Sequence, residues 1–181
     1  SRVGIGANAI KSPDIYLNEM RLIKSDFEIN RMREATQISA EAHELVRQSI
    51  SSKSNERQIQ GLIEGFFLEK GARGPAYNSI VASGDNACIL HYTLNNSVLK
   101  KGDLLLVDAG CSLSDYYNGD ITRTIPIGGK FSKEQKMIYE IVLEAQKHAI
   151  KKAVIGSNSS NVHNVALRIL VEGLKEIGLL R

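Results

Sequence analysis

The chain of 181 residues contains no tryptophan, only three prolines and two cysteines, and 6% aromatic residues. No apolar run is long enough to cross a membrane, and no signal-peptide pattern opens the sequence, so we expect no membrane partner. Cys88 and Cys111 lack the spacing of a CxxC motif, which favours two reduced thiols in a cytoplasmic protein. These absences argue against a transmembrane protein and against a small disulfide-stabilised domain.

The charge is nearly balanced, with 23 basic and 20 acidic residues that give a net charge of +3. The basic residues form no compact stripe with interleaved aromatic residues, so we expect no nucleic-acid partner. No glycine-rich phosphate loop follows a predicted strand, no Gly-x-Ser-x-Gly elbow is present, and neither cysteine has an evident activating partner. The sequence therefore gives no support for a nucleotide site or for a serine or cysteine nucleophile.

Apolar periodicity predicts two helices, then several short strands, then two more helices. Capping boxes that begin at Ser25 and Ser132 mark the starts of the first and third helices. The segments between the two helix pairs are short and apolar or β-branched, and they predict strands at 79–83, 104–107 and 119–124, with a further apolar stretch at 89–92. This order predicts an α+β fold in which helices cover one face of a curved antiparallel sheet.

The segment 104–124 carries two carboxylates on predicted neighbouring strands. Asp108 ends an apolar strand, and Asp120 lies 12 positions later, on a second strand that follows a polar turn. Two carboxylates brought close together repel each other unless a cation lies between them. Such oxygen ligands suit Mn²⁺, Mg²⁺ or Ca²⁺, or a Zn²⁺ or Co²⁺ site completed by histidine. Two strand-end acids in turns explain the same spacing without a metal, and the spacing alone favours that interpretation.

Thr122 and His91 are further candidates for chemistry near this segment. Alternate residues share one face of a strand, so Thr122 is predicted beside Asp120, where it would support that carboxylate or a metal-bound water. An ordinary strand threonine is the simpler interpretation. His91 lies in the apolar stretch 89–92, where a structural histidine is the common case. The other histidines lie on predicted helices, and we expect them at the surface or in a groove without an assigned role: His43, His148 and His163.

Three motifs follow one another along the chain: ILHY at 89–92, DAG at 108–110 and GDITRT at 119–124. Supporting segments occur at 20–25, 77–81 and 128–132. Over residues 19–181 the combination resembles the pita-bread (creatinase/aminopeptidase-type) metallopeptidases, and within them the bacterial Xaa-Pro aminopeptidases. The resemblance implies half of a pita-bread fold. Residues 1–18, which show no clear period, are then a linker or a remnant of a preceding domain.

In that family two aspartates, one histidine and two glutamates hold two metal ions. Residue by residue, the resemblance implies Asp108 and Asp120 as the two aspartate ligands. It implies His91 as the catalytic histidine that contacts the substrate near the scissile bond. Tyr77, like Thr122, is expected to contact the ligands rather than the metal. The implied cofactors are two divalent ions, with Mn²⁺ as the usual metal and Co²⁺ or Zn²⁺ as alternatives.

The resemblance implies a metalloaminopeptidase, a hydrolase that cleaves the bond between an N-terminal residue and a following proline. Its partner is then a peptide substrate with proline at the second position. Two alternatives share these motifs: an Xaa-Pro dipeptidase (prolidase), and a non-catalytic pita-bread module that binds proteins. Such modules generally lose the ligand acids, so the presence of Asp108, Asp120 and His91 argues against the second alternative.

The sequence departs from the family pattern in two ways. The two aspartates are usually one residue closer, and we place the extra residue in the turn 112–118, where a hairpin can absorb it. The chain also ends at Arg181, before the family supplies its remaining histidine and both glutamates, and His163 lies in no matching motif. We therefore expect the first half of a catalytic domain, inactive alone, with an exposed apolar surface that favours homo-oligomers.

Overall fold

The computed structural model describes residues 12–50 and 55–181. The chain divides into two compact units, Ser1–Ile127 and Gly128–Arg181. The first unit contains α1 (Asp14–Leu22), α2 (Asp26–Ser49), α3 (Glu56–Glu69), β1 (Gly74–Pro75), β2 (Ile80–Ser83), β3 (Leu104–Asp108), β4 (Cys111–Ser112) and β5 (Thr122–Pro126). The second contains α4 (Lys133–Lys152) and α5 (Ser159–Glu176). None of these helices, within the described ranges, is long and apolar enough to cross a membrane.

α2 begins at a capping box, as the sequence predicts. The Ser25 amide donates to Glu28 Oε2 at 2.7 Å, and the Glu28 amide donates to Ser25 Oγ at 3.3 Å. α3 has an equivalent box between Asn55 and Gln58, and α4 begins with a third. Each box satisfies amides that the first turn of a helix leaves unpaired, so local sequence determines where these helices start.

α1 was not predicted, because the sequence before residue 24 shows no clear apolar period. The helix has nine residues, too few for a helical period to stand out in the sequence, and none of them is buried. Its apolar side chains are exposed instead, with Ile15 at 73% and Met20 at 75%. Residues 1–11 lie outside the described part of the chain. The division into a linker of residues 1–18 and a domain from residue 19 stays a prediction.

β2, β3 and β5 form a three-stranded antiparallel sheet with β3 in the middle. Leu105 and Val107 of β3 are completely buried, whereas the residues that alternate with them are only partly buried. Alternate side chains of a strand point to opposite faces, so Asp108 lies on the face away from Leu105 and Val107. In the register of the sheet Asp108 is opposite Ile80 on one side and Thr122 on the other.

α2 and α3 cover the face of the sheet that carries Leu105 and Val107. The buried apolar residues of both helices and of the sheet form one core, with Ala35, Ile38, Ala42 and Val46 from α2, Ile59, Ile63 and Phe67 from α3, and Val81, Leu105 and Val107 from the strands. This agrees with the expected α+β arrangement, in which helices lie on one face of an antiparallel sheet. The opposite face, with Asp108, is left for a site.

α2 also packs directly on the backbone that follows β3. A Cβ on Gly110 would lie 1.8 Å from the Gly119 carbonyl oxygen, and a Cβ on Gly119 would lie 2.3 Å from Ser39 Oγ. The Ser39 hydroxyl donates to the Ala35 carbonyl at 2.7 Å and accepts from the Cys111 amide at 3.0 Å. Because both glycines lack a side chain, the two chain segments that flank the turn lie in backbone contact with each other and with the helix.

In the second unit α4 and α5 pack against each other. Gly173 of α5 lies close to Ile141 of α4, since a Cβ on the glycine would be 2.7 Å from the Ile141 Cγ2 atom. The ring of Phe131, which precedes α4, lies 4.8 Å from the ring of Tyr139 within the helix, and the two rings are tilted relative to each other. The two helices predicted after the strands are therefore both present, and they form a helical pair.

Gly110→Ala is expected to lower the free energy of unfolding by about 3 kcal/mol or more, because the obstructing atom belongs to backbone and cannot rotate away. Urea denaturation followed by circular dichroism measures the change. Gly61→Ala is the matched control: Gly61 is exposed within α3, and nothing lies within 4 Å of the added Cβ. That control should raise stability by about 0.5–1 kcal/mol. Wild-type stability in Gly110→Ala would contradict the packing described for this segment.

Candidate active site

Asp108 and Asp120 lie on either side of one tyrosine hydroxyl. The Tyr77 hydroxyl oxygen is 2.7 Å from Asp108 Oδ1 and 3.0 Å from Asp120 Oδ1. A hydroxyl carries one hydrogen, so the two carboxylates share a single donor. Burial, followed by the two carboxylates, raises the pKa of Tyr77 above its ordinary value, which keeps the hydroxyl protonated. The structure thus brings together both predicted aspartates and Tyr77.

An open cavity of about 370 Å³ borders these groups and also reaches His91. Three of its lining residues were not singled out in the sequence: Asn78, Ile80 and Thr93. Ile80 is opposite Asp108 in the β2–β3 register, and Thr93 lies two positions after His91, so both places follow once the fold is known. Neither position has a residue type that marks a site on its own. All the predicted site residues except Thr122 therefore line one cavity.

His91 lies on a loop rather than on a strand. The chain after β2 forms a short 3-10 helix (Gly84–Cys88) and then turns, and His91 is exposed with a left-handed φ of +56°. A residue other than glycine is uncommon in that region and is held there by its surroundings. The exposed imidazole and the two carboxylates therefore face the same open cavity, where all three are accessible to a bound molecule.

The turn between the two aspartates is anchored to α2. Arg31 donates to both carboxylate oxygens of Asp115, from Nε at 2.6 Å and from Nη2 at 3.1 Å. The Tyr117 hydroxyl donates to Glu28 Oε1 at 3.0 Å, in the first turn of the same helix. The turn directs Asp120 to the same Tyr77 hydroxyl that donates to Asp108, so the two acids do not point to opposite faces. The placement of an extra residue in this turn stays a prediction.

The predicted strand 119–124 begins too early. β5 starts at Thr122, and Asp120 precedes it in an irregular segment in which the Ile121 carbonyl accepts from the Ala109 amide at 3.1 Å. The argument that Asp120 and Thr122 share a strand face therefore does not apply. Thr122 is exposed, and among the described residues no hydrogen bond joins its side chain to Asp108 or Asp120. Its supporting role stays a prediction.

His43 of α2 lies behind the aspartates and is buried, with 5% of its surface exposed. Its Nε2 donates to the Ala109 carbonyl at 2.9 Å, whereas Nδ1 has no hydrogen-bond partner within the described part of the chain. Burial lowers the pKa of His43, so the ring is held neutral with its hydrogen on Nε2. The expectation of a surface position is wrong for His43, because α2 packs on the segment after β3. His148 and His163 are exposed.

Asp108 and Asp120 present two oxygen ligands to the cavity but do not by themselves make a metal site. Their oxygens are hard ligands of the kind that Mn²⁺ and similar divalent ions prefer. No group of three His, Cys, Asp or Glu side chains that could hold a metal ion occurs within residues 12–50 and 55–181. The residues present therefore fit a divalent ion as two members of a larger ligand set.

Comparison with known proteins identifies one family along most of the chain. The model of metallopeptidase family M24 matches residues 30–179. The Xaa-Pro aminopeptidases of Haemophilus influenzae and Escherichia coli are 48% and 43% identical to the chain over 165 residues, or 91% of its length. The same alignments cover 38% and 37% of those two proteins, so the chain spans well under half of the relatives that it matches.

Solved structures share the fold. Pseudomonas aeruginosa aminopeptidase PepP has a TM-score of 0.90 at 44% identity, over 93% of this chain and 38% of its own. A glutamate-to-alanine variant of Escherichia coli aminopeptidase P in complex with substrate has a TM-score of 0.91 at 42% identity, over 94% and 38%. These matches confirm the α+β fold expected for one part of a pita-bread domain. Since the family model also covers more than half of the sequence, the chain belongs to metallopeptidase family M24.

Proposed function

We propose that the chain supplies one side of the active site of an Xaa-Pro aminopeptidase, a hydrolase that releases an N-terminal residue preceding proline. The main support is the single cavity that contains Asp108, Asp120 and His91, with both carboxylates on the Tyr77 hydroxyl. The names of the relatives and of the matched structures, Xaa-Pro aminopeptidase and aminopeptidase P, support the reaction class. The proposed substrate is accordingly a peptide with proline at the second position.

Asp108 and Asp120 are the proposed ligands of two divalent ions, with Mn²⁺ as the first choice of metal. Such a pair of ions, when bound, lowers the pKa of a water molecule and polarises the scissile carbonyl. Co²⁺ and Zn²⁺ are the alternatives, and a zinc-substituted form of Escherichia coli aminopeptidase P is among the matched structures. The Tyr77 hydroxyl lies between the two carboxylates, and its proposed role is to orient them.

His91 is the proposed catalytic residue of this chain. Its imidazole is exposed in the cavity and offers a ring nitrogen as hydrogen-bond donor or acceptor to a peptide group. A peptide that enters this cavity therefore lies within reach of both the histidine and the two carboxylates.

An Xaa-Pro dipeptidase is the second candidate, because it shares these motifs and differs in the length of its substrate. The names of the relatives favour the aminopeptidase. A non-catalytic binding module is less favoured, since two like charges facing an open cavity are unfavourable unless a cation compensates them. Assays with Xaa-Pro dipeptides and with longer Xaa-Pro peptides separate the two enzymes.

We further propose a cytoplasmic location, because Cys88 and Cys111 are both free, which favours a reducing compartment.

A homo-oligomer is proposed from the exposed apolar side chains of α1, among them Ile15, Tyr16 and Met20. The average mass measured by light scattering should rise with protein concentration. A constant monomer mass over the whole range would contradict self-association.

The chain alone is expected to show no Xaa-Pro peptidase activity in the presence of Mn²⁺, because it supplies two ligands of the five that the family uses. A longer form that adds the remaining ligands should cleave the same peptides and should lose that activity in Asp120→Asn. Release of the N-terminal residue, followed by chromatography, is the measurement. Cleavage by the chain alone that Asp120→Asn abolishes would overturn the expectation of an inactive chain.

Mn²⁺ is expected to bind the chain weakly and at one place. Titration followed by the electron paramagnetic resonance signal of free Mn²⁺ gives the affinity. Paramagnetic broadening of amide resonances gives the position, expected around Tyr77, Asp108 and Asp120. The double variant Asp108→Asn/Asp120→Asn should lose this binding, because both carboxylate charges are removed.

Two further variants test the same titration. Asp85→Asn removes an exposed carboxylate outside the cavity and should leave Mn²⁺ affinity unchanged. Tyr77→Phe removes the shared donor and should weaken Mn²⁺ binding about tenfold, since the carboxylates lose the group that orients them. Equal affinity in the wild type and the double Asp→Asn variant would overturn the assignment of both ligands.

A further inference from the structure

Glu56 is a fully buried carboxylate, with 0% of its surface exposed. None of the ion pairs found in the described part of the chain involves it. It is the first residue of α3, where the unpaired amides of the first turn favour negative charge. A buried carboxylate without a cation is stable only if hydrogen-bond donors surround it.

Five hydrogen bonds to Glu56 meet that requirement. Oε1 accepts from the Ser83 amide at 2.8 Å, the Ser83 hydroxyl at 2.8 Å and the Asn86 side chain at 3.0 Å. Oε2 accepts from the Tyr92 hydroxyl at 2.7 Å and the Ser97 amide at 2.9 Å. Burial raises the pKa of Glu56, but these hydrogen bonds outweigh it and hold the pKa below its ordinary value.

Every donor to Glu56 comes from the chain segment that carries His91. Ser83 ends β2, and Ser97 lies six positions after His91, so the donors enclose the histidine from both sides. We call residues 84–97 the His91 loop. The Asn86 side chain also lies within 3.1 Å of the Tyr92 hydroxyl and 2.9 Å of Ser97 Oγ, which ties the start of the loop to its end.

Two residues of the His91 loop other than glycine have left-handed backbone, His91 at φ +56° and Asn95 at φ +47°. Such conformations are unfavourable for residues other than glycine and persist only where the surroundings impose them. Asn95 is fixed by its own side chain, which accepts from the Val81 amide at 3.0 Å and donates to the Ser79 carbonyl at 2.8 Å. His91 is exposed, and its side chain makes no comparable hydrogen bond to any of the described residues, whereas its neighbour Tyr92 is buried and donates to Glu56.

We propose that Glu56 is a positioning residue that fixes His91 in the cavity by binding the Ser83, Asn86, Tyr92 and Ser97 donors on both sides of it. The charge of the carboxylate matters because all five partners donate to it. A glutamine side chain would turn an amide group, itself a donor, toward some of these donors, and those hydrogen bonds would be lost. This inference rests on the proposed function only in giving His91 a role toward substrate.

Glu56→Gln is the test, with amide hydrogen exchange and the imidazole resonances of the isotope-labelled chain as readouts. Exchange in the His91 loop should increase at least tenfold, while amides of α2 and β3 keep their wild-type rates. The His91 imidazole resonance, assigned from its loss in His91→Asn, should move toward the position found in an unfolded peptide. Glu69→Gln is the matched control, because Glu69 lies at the exposed end of the same helix and should change neither readout.

Two results would overturn the proposal. Wild-type exchange and an unmoved His91 resonance in Glu56→Gln would show that Glu56 does not hold the loop. An equal increase in exchange throughout the first unit would show that Glu56 stabilises the fold as a whole and does not position His91. If Glu56→Gln does not fold, Tyr92→Phe decides: it removes one of the five donors beside His91 and should increase exchange at residues 89–93 alone, whereas unchanged rates there would refute the proposal.

These readouts involve neither metal nor substrate, so their failure and that of the proposed function can be told apart. Wild-type exchange in the His91 loop of Glu56→Gln would refute the positioning role of Glu56. It would leave the assignment of Asp108 and Asp120 as Mn²⁺ ligands unaffected. Loss of the proposed metal site would instead show in the Mn²⁺ titration while the exchange pattern of Glu56→Gln stays as expected.

Discussion

The shared hydroxyl of Tyr77 is the interaction on which the arrangement of the two aspartates depends. Two carboxylates directed at one point repel each other, and a single neutral donor holds them there. This arrangement requires three chain segments to meet: the end of β3 with Asp108, the irregular stretch with Asp120, and the connection between β1 and β2 with Tyr77. The sheet places its apolar side against α2 and α3, which leaves the opposite side for this convergence.

The packing behind the two acids is as specific as the acids themselves. Gly110 and Gly119 allow the segments before and after the turn to lie in backbone contact with each other. Next to this contact, the Ser39 hydroxyl of α2 accepts a hydrogen bond from the Cys111 amide. The His43 imidazole donates a hydrogen bond to the carbonyl of Ala109, the residue that follows Asp108. The layer behind the two aspartates therefore consists of close contacts that involve backbone atoms, and not of loosely packed side chains. Small changes in volume at this layer have little room in which to relax.

The sequence predicts the parts of this structure that depend on near neighbours. The starts of α2 and α4 follow from capping boxes, and the course of β3 follows from an apolar run that ends in a charge. α1 escaped prediction because nine residues are too few for a clear helical period. The convergence of Asp108 and Asp120 on Tyr77 was expected only through resemblance to a family, since composition and spacing alone favoured two unrelated acids.

Glu56 shows why the remainder could not be predicted. A glutamate in the first turn of a helix is ordinary on the surface, where it interacts with the helix dipole. Its burial depends on donors that lie from 27 to 41 positions further along the chain, and no local pattern links them to it. The same holds for His43, whose neighbours on α2 suggest a solvent-facing residue until the segment after β3 packs on the helix.

The anchored turn between the aspartates has a consequence for how such chains are recognised. Because Asp115 and Tyr117 are held by Arg31 and Glu28 of α2, the place where the turn returns to the sheet is set by a helix and not by the number of residues in the turn. On this basis the number of residues between the two acids can vary without separating them. That number is therefore a weaker mark of the site than the contacts of Asp115 and Tyr117 with α2.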